Sequence, residues 1–334
     1  MAFSTINKSS DYMNTVLYSG NGTTQSITGV GFQPDMVWAK ARAGSVNHAL
    51  VDAVRGATNQ LQPNENIVEF TGGFVSFNAD GFSLNNNWNE NNTGVNYASW
   101  NWLANGAGSS NTDGSITSTV SANTTSGFSI VKWVGTGSNA TIGHGLGVKP
   151  SMIITKPTSH TGSWYTYHKS TDATDFLKLN DTDATADNAT IWNDTEPTTS
   201  VFTTGTAFDS GRTFIAYCFA EISGYSKFSS YTGNGDADGA FVYTGFRPTM
   251  VICKRTSAAD PWVIMDSKRE GYNVANYQLV ADTNGAESSN VRADLLSNGF
   301  KARSGSGEVN DGTYIYMAFG QPIISNSGVC ATAR

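Results

Sequence analysis

Three times along this chain a glycine leads, within a few residues, to a proline and an apolar run. The first copy is Gly31-Phe32-Gln33-Pro34-Asp35-Met36-Val37-Trp38-Ala39-Lys40. The second is Gly147-Val148-Lys149-Pro150-Ser151-Met152-Ile153-Ile154-Thr155-Lys156, and the third is Gly245-Phe246-Arg247-Pro248-Thr249-Met250-Val251-Ile252-Cys253-Lys254. Counted from each proline, Met stands at +2 and Lys at +6. An aromatic-x-Gly-x-Gly precedes each copy, at 18–22, 133–137 and 231–235. His48, Trp164 and Trp262 follow at +14, and Asp52, His168 and Asp266 at +18. Phe82, Phe202 and Phe300 come next, and then a closing aromatic segment at 97–102, 214–219 and 314–319. Ordered landmarks at a fixed period are the signature of an internal repeat.

Within a unit the apolar segments are short and bounded by Gly, Asn, Asp or Pro, which reads as strands and turns. The first unit predicts strands at 15–18, 25–30, 35–40, 48–52, 67–70, 82–85 and 96–102. Alternation in Val37-Trp38-Ala39-Lys40 and in Trp262-Val263-Ile264-Met265-Asp266 lets every second residue face a core. Trp38, Trp100, Phe246 and Tyr316 are core candidates. Composition agrees: of 334 residues only 14% are charged, while Ser (36), Thr (38) and Asn (31) supply the polarity. These residues favour turns and strand rims over long helices. The expected fold is all-β: three tandem antiparallel β-sandwich, jelly-roll-like repeats at 16–104, 110–222 and 225–322. Each unit is long enough for its own core. An N-terminal arm (1–15) and a C-terminal tail (323–334) flank them, and 105–111 reads as a Gly/Ser linker.

The net charge of −7, without a Lys/Arg run, argues against a nucleic-acid partner. The chain shows neither an apolar run of membrane-span length nor a signal-peptide pattern near its start, so synthesis in a cytoplasm is expected. Three cysteines, Cys218, Cys253 and Cys330, lack metal or disulfide spacing and read as buried thiols.

The residues that could carry chemistry are few. His48 and His168 occupy repeat positions held elsewhere by Trp or Asp, which favours a structural role. His144 sits in a Gly-rich turn and His160 in a loop with Thr161-Gly162, and neither has the i+2 to i+4 partner of a metal site. Asp52, Asp266 and Glu270 are the carboxylates a glycosidase would require. However, Asp52/Arg55 and Asp266/Arg269 have the spacing of local ion pairs. The clusters 181–183 and 236–239 lack a calcium-loop register. No catalytic residue, metal or cofactor is therefore expected. Trp88, in the polar loop 85–92, and Trp192, at 190–194, are loop aromatics that either stay exposed or fold back over their own sandwich. With Asn87 and Asn89, Trp88 has the character of a sugar-contact loop, an indole for a pyranose face and amides for hydroxyls.

The segments 16–38, 111–131, 143–156, 214–235 and 241–255 resemble a domain family of unknown function in virion proteins of tailed phages. That family is common in marine cyanophages and related marine phages and is often labelled tail fibre or structural protein. The resemblance extends from about residue 11 to the ending Ser327-Gly328-Val329-Cys330-Ala331-Thr332-Ala333-Arg334. It implies a non-enzymatic virion protein, made in the host cytoplasm, that acts as a tail fibre or fibre tip contacting host glycans. It also implies partners: other virion proteins and copies of itself, expected as a homotrimer, without membrane insertion. A capsid decoration or head-fibre role is the alternative, and a polysaccharide-cleaving tailspike a minor one.

Overall fold

The computed structural model describes residues 4–85, 88–271 and 273–324. As the composition predicts, it is all-β, its regular structure being almost entirely strand. Its helical elements are a turn at Ser9–Asp11 and the four-residue helix Ala189–Trp192.

The same strand order recurs in three sheets. In the first, the opening strand Met13–Ser19 pairs with the closing strand Asn96–Trp102. The closing strand pairs with the proline strand Met36–Ala41, which continues into Ala49–Asp52 and Gly56–Leu61. The second sheet repeats this order with Phe128–Val134, Thr213–Phe219, Met152–Pro157, Tyr165–His168 and Asp175–Lys178. The third does so with Ser226–Thr232, Thr313–Pro322, Phe246–Arg255, Val263–Asp266 and Ala275–Val280. The ladder register matches as well. Met36 lies opposite Asp52 and Trp102, Met152 opposite His168 and Phe219, and Met250 opposite Asp266 and Phe319. Pro34 and Pro150 precede their strands, where a missing N–H is tolerated. Pro248 differs: it lies inside Phe246–Arg255, at a register shift between Pro248 and Met250.

A second layer covers each sheet and varies. In unit one it is the three-stranded sheet of Gln25–Thr28, Gly81–Leu84 and Phe74–Asn78, and in unit two the pair Ala140–Gly143 and Val201–Thr204. In unit three the main sheet continues through Ser288–Leu296 and Gly299–Ala302 to Phe241–Tyr243, curling over its own core. Pairing first strand with last and second with penultimate is jelly-roll-like, but the middle strands run as a meander.

The expectation of one core per unit needs correction. The proline strands Met36–Ala41 and Met152–Pro157 are buried at every position, because the alternation divides their side chains between two cores. Val37, Ile153 and Val251 face their own second layers. Met36, Trp38, Met152, Ile154, Met250 and Ile252 enter one cluster shared by all three units. At its centre Trp102, Phe219 and Phe319, equivalent by register, form a triangle of edge-on rings. The centroid separations are 6.3 Å (Trp102–Phe219), 6.0 Å (Trp102–Phe319) and 6.0 Å (Phe219–Phe319). Edge-to-face packing at this spacing is favourable. The void left beside the hub is about 10 Å³, at the lower limit for one water. Trp38, Trp100, Phe246 and Tyr316 are all buried, as expected.

The flanking segments also differ from expectation. The supposed arm is docked: Ile6 joins the shared core, and the Ser9 N–H and hydroxyl both donate to Gln321 Oε1 at 3.1 Å. Met13 is already in a strand. The Gly/Ser segment at 105–111 is fixed as well. The Asp35 carboxylate accepts from Ala104 N at 2.8 Å and Gly106 N at 3.2 Å, and Ser109–Asn111 pairs with Ser118–Asn123 as part of the second sheet. Most of the supposed tail, with Cys330, lies outside the described residues.

Candidate functional site

Four of the groups considered for chemistry, Asp52, Asp266, His48 and His168, lie at the joints between units. Asp52 and Asp266 end their strands beside the shared core. One oxygen of each accepts turn N–H groups, from Arg55 at 2.9 Å and from Arg269 at 3.1 Å. The other oxygen accepts from the arginine Nε, at 2.6 Å in Asp52–Arg55 and 2.7 Å in Asp266–Arg269. That second oxygen also receives a donor from a neighbouring unit. Tyr217 Oη donates to Asp52 at 2.7 Å, and Trp100 Nε1 donates to Asp266 at 3.2 Å. Unit two places His168 at the same position. Its Nδ1 accepts Ser170 N–H at 3.1 Å, so Nε2 carries the proton and donates to the Tyr316 carbonyl at 3.2 Å. Unit one thus joins unit two, unit two joins unit three, and unit three joins unit one.

The +14 and +6 positions form a second ring of bonds. Trp164 Nε1 donates to the Gln62 and Glu65 carbonyls at 3.0 Å, and Trp262 Nε1 donates to Lys178 O at 2.9 Å. In unit one the indole sits on the proline strand. Trp38 Nε1 donates to His48 Nδ1 at 2.9 Å, and His48 Nε2 relays to Thr283 O at 2.9 Å. The lysines are buried and reach carbonyls of the adjacent unit: Lys40 to Asn284 at 2.9 Å, Lys156 to Ile67 at 2.8 Å and Lys254 to Thr182 at 3.0 Å. Burial lowers the Lys156 ammonium to about 7 and those of Lys40 and Lys254 to about 8. It also holds His168 at about 4 and His48 at about 3, where the nearby Lys40 charge adds to the effect. Both rings are neutral imidazoles at ordinary pH.

The remaining chemical candidates are accounted for locally. Glu270 accepts from Asn276 N and Tyr277 N, while the Asp266 side chain is wholly buried with Arg269. His144 is buried in its turn with Leu146 N donating to Nδ1 at 3.2 Å. His160 stacks edge-on against Phe214. Asp181 and Asp183 flank Lys178, and Asp238 pairs with Lys301 at 2.5 Å. Among the described residues no group of His, Cys, Asp and Glu has the arrangement to hold a metal. Cys218 and Cys253 are buried free thiols, and burial pushes Cys253 up to about 12.

The Trp88 loop has a stiff base and an exposed tip. The buried Glu90 carboxylate accepts Gly73 N–H at 2.5 Å, and Tyr18 Oη donates to Glu90 O at 2.8 Å. Asn91 bridges to the opening turn, accepting from Asn21 N at 3.1 Å and donating to Thr23 O at 2.7 Å. On this base Trp88 is 43% exposed, its ring 6.2 Å from that of Phe70, with Asn89 partly exposed beside it. Asn87 lies outside the described residues. Trp192 must be withdrawn as a surface contact. Asn188 caps the short helix through Thr190 N, and this turn drives Trp192 into the unit-two core beside Tyr167 and Phe208. It is only 2% exposed.

A family model described as a domain of unknown function, DUF7483, matches residues 8–322. The chain belongs to the DUF7483 family. The matched span takes in all three units and the Ser9–Asp11 turn before them. No curated protein and no solved structure matches the chain. The DUF7483 fold also presents an aromatic pair that the sequence reading passed over. Phe241 and Tyr243 alternate outward around buried Val242, and the Lys227 ammonium lies 5.5 Å from the Tyr243 centroid. A cleft of about 380 Å³ adjoins Tyr243 and Lys227. The signal was the i, i+2 spacing of two rings on a strand rim, easily read as core.

Proposed function

We propose that this chain is a non-enzymatic structural protein of a phage virion, a tail fibre or fibre-tip component whose rim contacts host-surface glycans. The observation that carries the reading is the use made of the polar interior. Asp52, Asp266, His48, His168 and three lysines are committed to hydrogen bonds that lock three units into one body. A body so braced suits a particle component that must keep its shape while it is pulled. Recognition then falls to the rim, where Trp88 and Phe70 offer apolar surface and Asn89 an amide. Single sugar contacts of this kind are weak, and many copies on one particle supply adhesion through avidity. Capsid decoration is the second reading, favoured by the compact joining of the units, without an extended shaft among the described residues.

Host-cell binding by Trp88→Ala protein, with melting temperature and oligomeric state unchanged, tests the contact: binding should fall, and full retention removes Trp88 from the site. Labelling the protein on intact virions separates tail from capsid. New reducing ends released from host polysaccharide, and abolished by Asp266→Asn in a folded protein, would overturn the non-enzymatic assignment.

A further inference from the structure

The three opening strands are equivalent by register, yet their outer edges are treated differently. In unit two the edge of Phe128–Val134 is covered by Ser118–Asn123, which pairs Asn123 with Phe128, Ser121 with Ile130 and Thr119 with Lys132. In unit three no strand among the described residues covers the edge of Ser226–Thr232, but charge guards it. The Phe228 N–H points out of the sheet and donates to Glu221 Oε2 at 3.4 Å. Glu221 is itself paired with Lys169 at 2.7 Å, and Lys227 stands on the strand. Charged residues at an edge are a recognised defence against unwanted pairing. In unit one, Met13–Ser19 pairs on one side with Asn96–Trp102, and among the described residues no strand lies on its other side; charge stands only at its start, in the Lys8–Asp11 pair and in Lys268 of unit three. The strand Met13-Asn14-Thr15-Val16-Leu17-Tyr18-Ser19 contains no charge and no proline. Its burial alternates just as in Ser226–Thr232, and Leu17 is exposed. A cleft of about 220 Å³ lies beside Met13, Asn14 and Thr15, walled on its far side by Thr249, Ser267 and Lys268 of unit three, so the open part of the edge is its Val16–Ser19 end.

We infer that the edge of Met13–Ser19 is a self-association surface, on which the same strand of a second copy pairs antiparallel about a two-fold axis. Thr15 and Leu17 are the outward positions: they correspond to Phe228 and Ser230 in unit three, and to Ile130 and Lys132, which face the covering strand in unit two. Their N–H and C=O groups therefore point to the partner. Identical uncharged strands related by a two-fold meet each other's needs equally, so the contact closes at two copies. The covered edge in unit two shows that this position of the fold accepts an added antiparallel strand. The faces that would drive three single units together are already buried inside each chain, so assembly between chains needs a different surface. The inference goes beyond the proposed function and stands whether or not glycans are bound.

Sedimentation of the full chain over a range of concentrations tests it. The wild type should be a reversible dimer. Leu17→Pro removes an outward N–H without touching the ladder to Asn96–Trp102, and Leu17→Lys introduces like charges at the two-fold; each should give monomer with an unchanged melting temperature. Ser230→Pro, on the guarded edge, should leave the dimer intact. A wild type that stays monomeric at its highest soluble concentration, a trimer, or a dimer that persists in folded Leu17→Lys protein would each overturn the proposal.

Discussion

Two of the joints between units rest on an ion pair and the third on a neutral ring. Asp52 with Arg55 and Asp266 with Arg269 are buried charges, each carboxylate holding a turn and accepting a donor from the next unit. His168 does both tasks without charge. Its Nδ1 accepts from the turn as Asp Oδ1 does, while its Nε2 donates where the aspartates accept. The polarity reversal follows from what the neighbour offers. Tyr217 and Trp100 present donors, but Met317, the equivalent position in unit three, presents none, so His168 uses the adjacent Tyr316 carbonyl. With no carboxylate to neutralise, unit two needs no arginine and carries Thr171 there, its hydroxyl donating to His168 O at 2.9 Å. A joint of this fold therefore requires two hydrogen-bonding points and charge balance, not a particular residue.

The comparison can be broken most sharply by removing one charge. Asp266→Ala leaves Arg269 buried without its closest partner and should cost about 3–5 kcal/mol in denaturant unfolding. His168→Ala leaves no stranded charge and should cost about 1–3 kcal/mol, the penalty of lost hydrogen bonds; equal losses at the two sites would refute the distinction. Lys156→Met removes a buried cation that has hydrogen bonds but no carboxylate partner. It strands the Ile67 and Pro157 carbonyls, each 2.8 Å from Nζ, and should also cost about 1–3 kcal/mol in the same assay.

Acid sharpens the contrast between neutral and charged joints. His48 and His168 are lowered to about 3 and about 4, so below their ordinary range the unfolded chain binds protons that the fold refuses. Stability should fall as pH drops from about 6.5 towards 4, by up to about 1.4 kcal/mol per pH unit for each ring. His168→Gln should shallow that slope in a pH series of unfolding curves. The lysines act on the alkaline side with the same sign. With Lys156 at about 7 in the fold, the unfolded chain holds the extra proton up to about 10.5, and stability should rise with pH across that window. The smallest effect is expected away from the joints. Trp88→Ala should change unfolding free energy by no more than about 0.5 kcal/mol, and a larger loss would make the loop a structural brace.

Much of this was legible in the residues. The strand predicted at 96–102 is the closing strand Asn96–Trp102, and the offsets from each proline reappear as ladder partners. Alternation was visible as well, but a pattern of period two says that two faces differ without saying that one of them is wet. Trp38 and Val37 look alike whether the second face meets solvent or another unit. The Asp–Arg spacing revealed the ion pairs but not Tyr217 or Trp100, which lie 165 and 166 residues away from their acceptors. Trp192 failed as a surface residue because polar neighbours in sequence describe a cap, and the cap sets the direction in which the ring turns. Trp88, in an equally polar loop, has no helix to turn it inward.

The triangle of Trp102, Phe219 and Phe319 has a consequence for how such a protein can change. Were it assembled from three copies of one short chain, any substitution would appear at all three corners and would have to suit all of them at once. Written into a single chain, each corner mutates alone. A tryptophan can replace a phenylalanine at one vertex, a histidine can stand for an aspartate in one joint, and one opening strand can acquire a covering hairpin while another stays bare. The molecule thereby has three separately adjustable outer rims on a common centre, and a change that alters what one rim touches need not disturb the other two.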